Sequence, residues 1–259
     1  MALTKTTKEI DCMRVGGDLL SRALGEAVKM VKPGVLLSEI DAVGERMIRE
    51  GGGTPSFKGY TSDPSDTPFP STICISVNAE IVHGLGNRSL PLQEGDIVGL
   101  DIGCWYKGLC TDMAVTVPVG SVSVEKMTLI QQTKNALLKG VHAAHVGGTI
   151  KDISHAIEQV GKRHGYGIVR SLVGHGVGHE VHEAPHVPNF VSRHYPEVKI
   201  ISGMCLALEP MFGLGGDHQV ETGEDGWCIV MSDQSVGAHF EMTIAVTEEG
   251  VEILTPLPV

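Results

Sequence analysis

The chain has 259 residues, 42% hydrophobic and 20% charged, enough for one large domain or two small ones around a sizeable core. Its formal net charge of −11 argues against a nucleic-acid-binding surface as its main business. Six cysteines (Cys12, Cys74, Cys104, Cys110, Cys205, Cys228) make no CxxC pair, the N-terminus has no apolar h-region, and no run is long enough to cross a membrane, so a reducing, cytoplasmic setting is expected.

From Thr7 to about Val31 the apolar residues Ile10, Met13, Leu20, Leu24 and Val28 recur at helical spacing, and Pro33-Gly34 ends the helix. Ser38 with Asp41 three residues later reads as a capping box for a second helix through Ile40, Val43, Met47 and Ile48, stopped by the glycines at 51–53. Residues 54–71 form a Pro- and Ser-rich loop with three aromatics, read either as the lining of a site or as a surface Ω-loop. Strand-like ICISV (73–77) and EIVHGLG (80–86) follow, and a turn at 93–96 leads to a predicted β-hairpin. Its two runs, Ile97 to Ile102 and Leu109 to Val117, flank a Tyr-Lys-Gly turn. With a two-residue loop at Tyr106-Lys107, Asp101 lies directly opposite Asp112, with Cβ atoms roughly 5 Å apart. A bulge at Gly108 would shift that register.

After Gly120 the pattern returns to helices, with stripes at Met127, Ile130, Leu137, Leu138 and Val141 and then at Ile153, Ile157 and Val160. This pair echoes the first at an offset of 114, Leu24 matching Leu138 and Gly34 matching Gly148. We read a diverged internal duplication, roughly 5–120 and 121–255, within a single catalytic domain 1–259 of α+β class, with a site where the two sheets meet.

Three strand regions place carboxylates among small or polar neighbours on one face, with bulky residues behind: Asp101 and Asp112 in the hairpin, Glu209 in MCLALEP, and Glu241 with His239 and Thr243 in HFEMTIAV. Any one alone would be a satisfied structural carboxylate. Four converging acids without Arg or Lys nearby in sequence match the charge of two divalent cations, which suggests a dinuclear site with bridging carboxylates. Oxygen-rich ligation with one imidazole favours Mn, Fe, Co or Zn. GHGVGHEVH offers His175 as the nitrogen ligand and His182 as an acid or oxyanion donor, with His179 a solvated surface residue. His83, at a strand end, reads as a substrate-facing imidazole or as a structural one. His142, His145, His155 and His164 lie on helices and are assigned no role. No GxSxG elbow, P-loop, Ser/His/Asp set or cysteine nucleophile stands out, which leaves a metal-activated hydroxide as the attacking group.

Asp101, the ten-residue gap to Asp112, GHGVGHEVH, LALEP and AHFEMT appear in an order and spacing that resembles the ligand motifs of type I methionine aminopeptidases, over about residues 5–255. The wider fold family also holds aminopeptidase P, prolidase and creatinase. The resemblance implies a pseudo-twofold duplicated "pita-bread" α+β fold, a central curved antiparallel sheet with helices packed on its outer face. It implies removal of the initiator methionine from nascent chains, with Asp101, Asp112, His175, Glu209 and Glu241 holding two divalent ions (Co, Mn, Fe or Zn) and Asp112 and Glu241 bridging. A water or hydroxide between the ions would attack the first carbonyl, and Glu209 would help take its proton. His182 would hydrogen-bond the carbonyl oxygen, His83 would contact the scissile amide nitrogen, and Cys74, Phe69 and Trp227 would wall the methionine pocket. Asn78 would contribute to a monovalent cation site (Na or K). The implied partners are nascent polypeptide N-termini, met by a monomer, with ribosome association and neither nucleic acid nor membrane binding. Three positions depart from the pattern: Met242 where histidine is frequent, Val181 where an aromatic often lines the pocket, and a longer loop at 60–68. The competing readings are an Xaa-Pro aminopeptidase or prolidase-type enzyme, and an inactive relative serving as a binding module, which would typically have lost ligands.

Overall fold

Thr6 opens the first helix by accepting a hydrogen bond from the Glu9 amide while the Glu9 carboxylate accepts from the Thr6 amide, a capping box that satisfies two otherwise orphaned donors. The computed structural model describes residues 3–61 and 67–258. In chain order it contains α1 (Thr7–Lys29), α2 (Leu37–Glu50), β1 (Thr54–Pro55), β2 (Ile73–Val77), β3 (Glu80–Val82), β4 (Ile97–Tyr106) and β5 (Leu109–Pro118). The second half supplies α3 (Val124–Ala143), α4 (Ile150–His164), β6 (Gly167–Ile168), β7 (Gly174–Gly176), β8 (Glu183–Val187), β9 (Met204–Leu208) and β10 (Met211–Gly213). It ends with β11 (Val220–Thr222), β12 (Ile229–Met231), β13 (Gly237–His239), β14 (Glu241–Thr247) and β15 (Gly250–Ile253). Among the described residues no helix is long and apolar enough to cross a membrane.

The second helix starts earlier than the Ser38–Asp41 pattern predicts. Glu39, not Asp41, reaches back to an amide, that of Leu36. Asp41 is buried and accepts from the amides of Thr72 and Ile73, so its carboxylate anchors the start of β2 instead. In α3 the buried stripe runs through Leu129, Ile130, Thr133, Leu137 and Val141, while Leu138 faces solvent.

One large antiparallel sheet carries the order β1-β4-β5-β14-β9-β7-β8, with β2 on β4 and β15 on β14. Its pleat sorts side chains by size. Leu100, Ile102, Met113, Val115, Leu206, Leu208, Met242 and Ile244 face the helices and form the main core with Leu20, Leu24, Ile40, Leu137 and Ile153. Asp101, Asp112, Glu241 and Ala207 take the alternate positions and so share the opposite, concave face. This is the α+β pita-bread arrangement, a curled antiparallel half-barrel with four helices behind it.

Two details of the strands differ from expectation. The hairpin turn is Lys107-Gly108, both at positive φ (49° and 82°), so the register pairs Asp101 with Ala114 and Gly103 with Asp112. A two-residue turn of this kind needs positive φ at both central positions, and glycine supplies one of them at no steric cost. The shift is by two residues, so both aspartates keep the same face but lie diagonally, not directly opposite. The run 239–246 is also not one strand. It breaks at Phe240, whose amide reaches Pro210, leaving His239 in β13 and Glu241 at the start of β14.

Candidate metal centre and the cavity above it

The concave face opens into a cavity of about 500 Å³, lined among others by Asp101, Asp112, His175, His182, His83 and Glu209. Glu241, Cys74, Phe69 and Trp227 line it as well. The five residues singled out above as divalent-metal ligands, His83 and His182, and the three pocket-wall residues are therefore brought to one cavity, from positions 69 to 241 of the chain, while Asn78 lies outside it.

Asp112, His175 and Glu241 are buried and each offers a donor atom within 4.8 Å of the other two. They come from three different strands: Glu241 pairs with Ala114 on β5, and His175 pairs with Ala207 on β9, which in turn pairs with β14. Glu209, just past the end of β9, places Oε1 3.7 Å from His175 Nε2. The tautomer of His175 is set by its neighbour. Its Nδ1 lies 2.8 Å from the Gly176 carbonyl, which can only accept, so Nδ1 carries the proton and Nε2 presents a lone pair. Burial drives its pKa down to about 3, so the ring is neutral and its approach to Glu209 is not an ion pair.

The carboxylates behave oppositely. Burial raises Asp101, Asp112 and Glu241 well above the carboxylate range, helped by their mutual repulsion, and pushes Glu209 up to about 8. Asp101 Oδ1, Asp112 Oδ1 and Glu241 Oε1 are buried with no hydrogen-bond partner. Buried polar atoms are almost always paired, so three unpaired carboxylate oxygens beside an imidazole lone pair form a donor set that fits divalent cations.

The remaining predicted residues surround this centre. His83 follows β3 at φ 58° and is neutral, burial lowering it to about 4. The next residue, Gly84, passes so close to Ile75 that a Cβ there would lie 2.2 Å from the Ile75 carbonyl oxygen, so only glycine fits at this point of the chain. His182 packs edge-on against His175, with ring centroids 4.5 Å apart, and is also held neutral by burial. Phe69 and Trp227 meet edge to face at 5.2 Å, and the Trp227 indole donates to the Thr67 carbonyl. Cys74 pairs with Asp101 across the β2–β4 ladder, and burial raises its thiol.

One reading needs correction. His179 is half-buried and bonds Glu9 of α1 at 2.8 Å, so it ties its loop to that helix and is not a solvated surface residue. Val181 packs in a small apolar cluster with Ile10 and Met13, and Met242 packs in the main core. The Asn78 carboxamide is engaged by Asp96 and by the Ile97 amide. Residues 62–66 of the longer loop lie outside the described residues. One participant was missed in the sequence reading: His239 is buried, its Nε2 has no hydrogen-bond partner, and it faces Glu209 Oε2 at 3.7 Å and Glu241 Oε2 at 3.9 Å. Its shared face with Glu241 was the available signal.

The model of metallopeptidase family M24 matches residues 11–248. The chain is similar to the methionine aminopeptidase of Clostridium acetobutylicum, 40% identical over 255 residues, 98% of this chain and 99% of the relative. It is similar to the crystal structure of methionine aminopeptidase from Thermotoga maritima, with a TM-score of 0.91 and 38% identity over 97% of this chain and 98% of that one. A prolidase from Pyrococcus horikoshii shares the fold, with a TM-score of 0.78, 23% identity, and 64% of its own chain covered.

Proposed function

This chain belongs to metallopeptidase family M24 and, within it, to the methionine aminopeptidases, and from that premise we propose that it removes the N-terminal methionine from nascent proteins and peptides by hydrolysing their first peptide bond. The observation that carries the reading is the buried, unpaired set of carboxylate oxygens beside the His175 lone pair, at the floor of a cavity with apolar walls. Asp101, Asp112, His175, Glu209 and Glu241 would hold two divalent ions, Mn, Fe, Co or Zn. When bound, such ions supply Lewis acidity and a nucleophilic oxygen at neutral pH.

The chain's own side chains do the rest. Phe69, Trp227 and Cys74 enclose an apolar space that accepts an unbranched thioether side chain and excludes water from it. His182 offers an N–H toward the carbonyl oxygen as negative charge develops there. His83 faces the scissile amide nitrogen. Glu209 takes a proton at its carboxylate and returns it to the leaving amine. We read residues 1–259 as one catalytic domain with a pseudo-repeat at 5–120 and 121–255, working as a monomer on nascent chains in the cytoplasm.

An Xaa-Pro peptidase would use the same fold, so the test is one of substrate. Protein supplied with Mn²⁺ or Co²⁺ is expected to release methionine from Met-Ala-Ser and nothing from Ala-Pro-Ser. Cleavage before proline, without methionine release, would reverse the assignment.

A further inference from the structure

His182 is held by a residue outside every ligand motif. Tyr60 Oη lies 3.1 Å from His182 Nδ1, and the two rings meet edge-on with centroids 5.6 Å apart. Tyr60 itself is fixed at the foot of its loop. Its amide donates to the Phe57 carbonyl at 2.8 Å, its carbonyl accepts from the Phe69 amide at 2.9 Å, and the Gly59 amide donates to the Phe69 carbonyl at 2.8 Å. The phenol is therefore presented to the imidazole by a braced piece of backbone.

We infer that Tyr60 is a positioning residue that sets the tautomer of His182, donating its hydroxyl proton to Nδ1 so that the ring's own proton resides on Nε2 and points into the cavity. A phenol is a good donor, and a neutral imidazole has one nitrogen that donates and one that accepts. With Nδ1 occupied as acceptor, the only N–H left is on the far side of the ring. The reverse arrangement would leave Nε2 with a lone pair, unable to donate to a developing oxyanion. The adjacent His175 provides the contrast. Its Nδ1 donates to the Gly176 carbonyl, so its Nε2 accepts. Two imidazoles 4.5 Å apart are thus locked in opposite tautomers, one presenting a lone pair and the other an N–H. Each assignment is made by the partner on Nδ1.

The catalytic consequence rests on the reading of His182 as carbonyl donor given above. The test separates the two. In zinc-loaded protein labelled with ¹⁵N-histidine, with the His182 signals assigned by their loss in His182→Gln, the wild type is expected to show protonated Nε2, and Tyr60→Phe a mixture of both tautomers. Steady-state kinetics on a Met-Ala peptide should show kcat falling in Tyr60→Phe by about tenfold, the worth of one hydrogen bond at the transition state, with KM nearly unchanged. Tyr60→Leu, which also removes the ring, should lose no further kcat but raise KM. Protonated Nδ1 in the wild type, or an unaltered tautomer in Tyr60→Phe, would overturn the inference. If instead the tautomer responds to Tyr60 as described but His182→Ala keeps full kcat, the tautomer assignment stands and the role given to His182 falls.

Discussion

Asp101 and Asp112 lie on one face of the β4–β5 hairpin, two residues out of register, Asp101 across from Ala114 and Asp112 across from Gly103. Diagonal positions on a sheet set the Cβ atoms about 7–8 Å apart or somewhat less, wide enough for a cation between the carboxylates. Neither partner puts a bulky side chain beside the carboxylates: Ala114 carries only a methyl, and Ser56 and Phe57 close over Gly103. Without a cation, two buried acids so placed repel, and burial already raises both. Asp112→Asn removes one charge at constant shape. In metal-stripped protein it should therefore raise the urea midpoint, while abolishing the rise in Tm expected of the wild type on adding Mn²⁺. Urea denaturation and thermal scans with and without metal read both effects.

Proton release is the second expectation. Glu209, raised to about 8, holds a proton at pH 7 in metal-stripped protein, burial raises Asp112 and Glu241 in the same direction, and cations bind the deprotonated forms. Metal loading at pH 7 should therefore expel at least one proton, and apparent affinity should rise with pH up to about 8. Calorimetric titrations in buffers of different ionisation enthalpy measure the proton count. For stability the sign follows from the same shifts. Carboxyls whose folded pKa is raised bind more protons folded than unfolded, so their contribution to the stripped protein falls as pH rises from the ordinary carboxylate range through about 8.

How far the sequence alone could have led is clear from particular residues. The faces of the strands were legible because side-chain alternation is a local property: Leu100 and Ile102 against Asp101, and Phe240 and Met242 against Glu241, sort themselves by parity. The hairpin register was legible only in part, since it depends on which two residues take positive φ, and Gly108 was the clue. The role of Asp41 was not legible, because its partners Thr72 and Ile73 lie some 30 residues on, and a local capping pattern imitated it. The Tyr60–His182 bond spans 122 residues and leaves no periodic trace.

The loop that carries His182 is anchored from the far end of the chain. Lys5 and Glu183 form an ion pair at 2.6 Å with side chains 1% and 3% exposed, and Glu183 also accepts from the amides of His179 and Glu180. Lys5→Met would leave a buried carboxylate without its cation. Breaking such a pair costs about 3–5 kcal/mol, so the variant should shift the urea midpoint strongly downward. Replacing both partners, Lys5→Met with Glu183→Gln, should recover much of that loss.

His239 gives a prediction for the rear of the centre. Its unpaired Nε2 faces Glu209 and Glu241, and outer groups of this kind orient carboxylate ligands. His239→Leu should weaken Mn²⁺ binding by about 10–100-fold, as loss of an outer-shell partner typically does. His239→Gln, which keeps a donor of similar reach, should restore most of the affinity. Equilibrium binding measured by calorimetry reads this independently of turnover.

The central claim is that five side chains from two halves of one sheet hold a pair of ions. Anomalous diffraction from crystals of manganese-loaded protein tests it most directly. The account predicts two peaks in the cavity, with Asp112 and Glu241 in contact with both ions, Asp101 with only one of them, and His175 and Glu209 completing the set. A single peak, or ions bound away from Asp112 and Glu241, would contradict it.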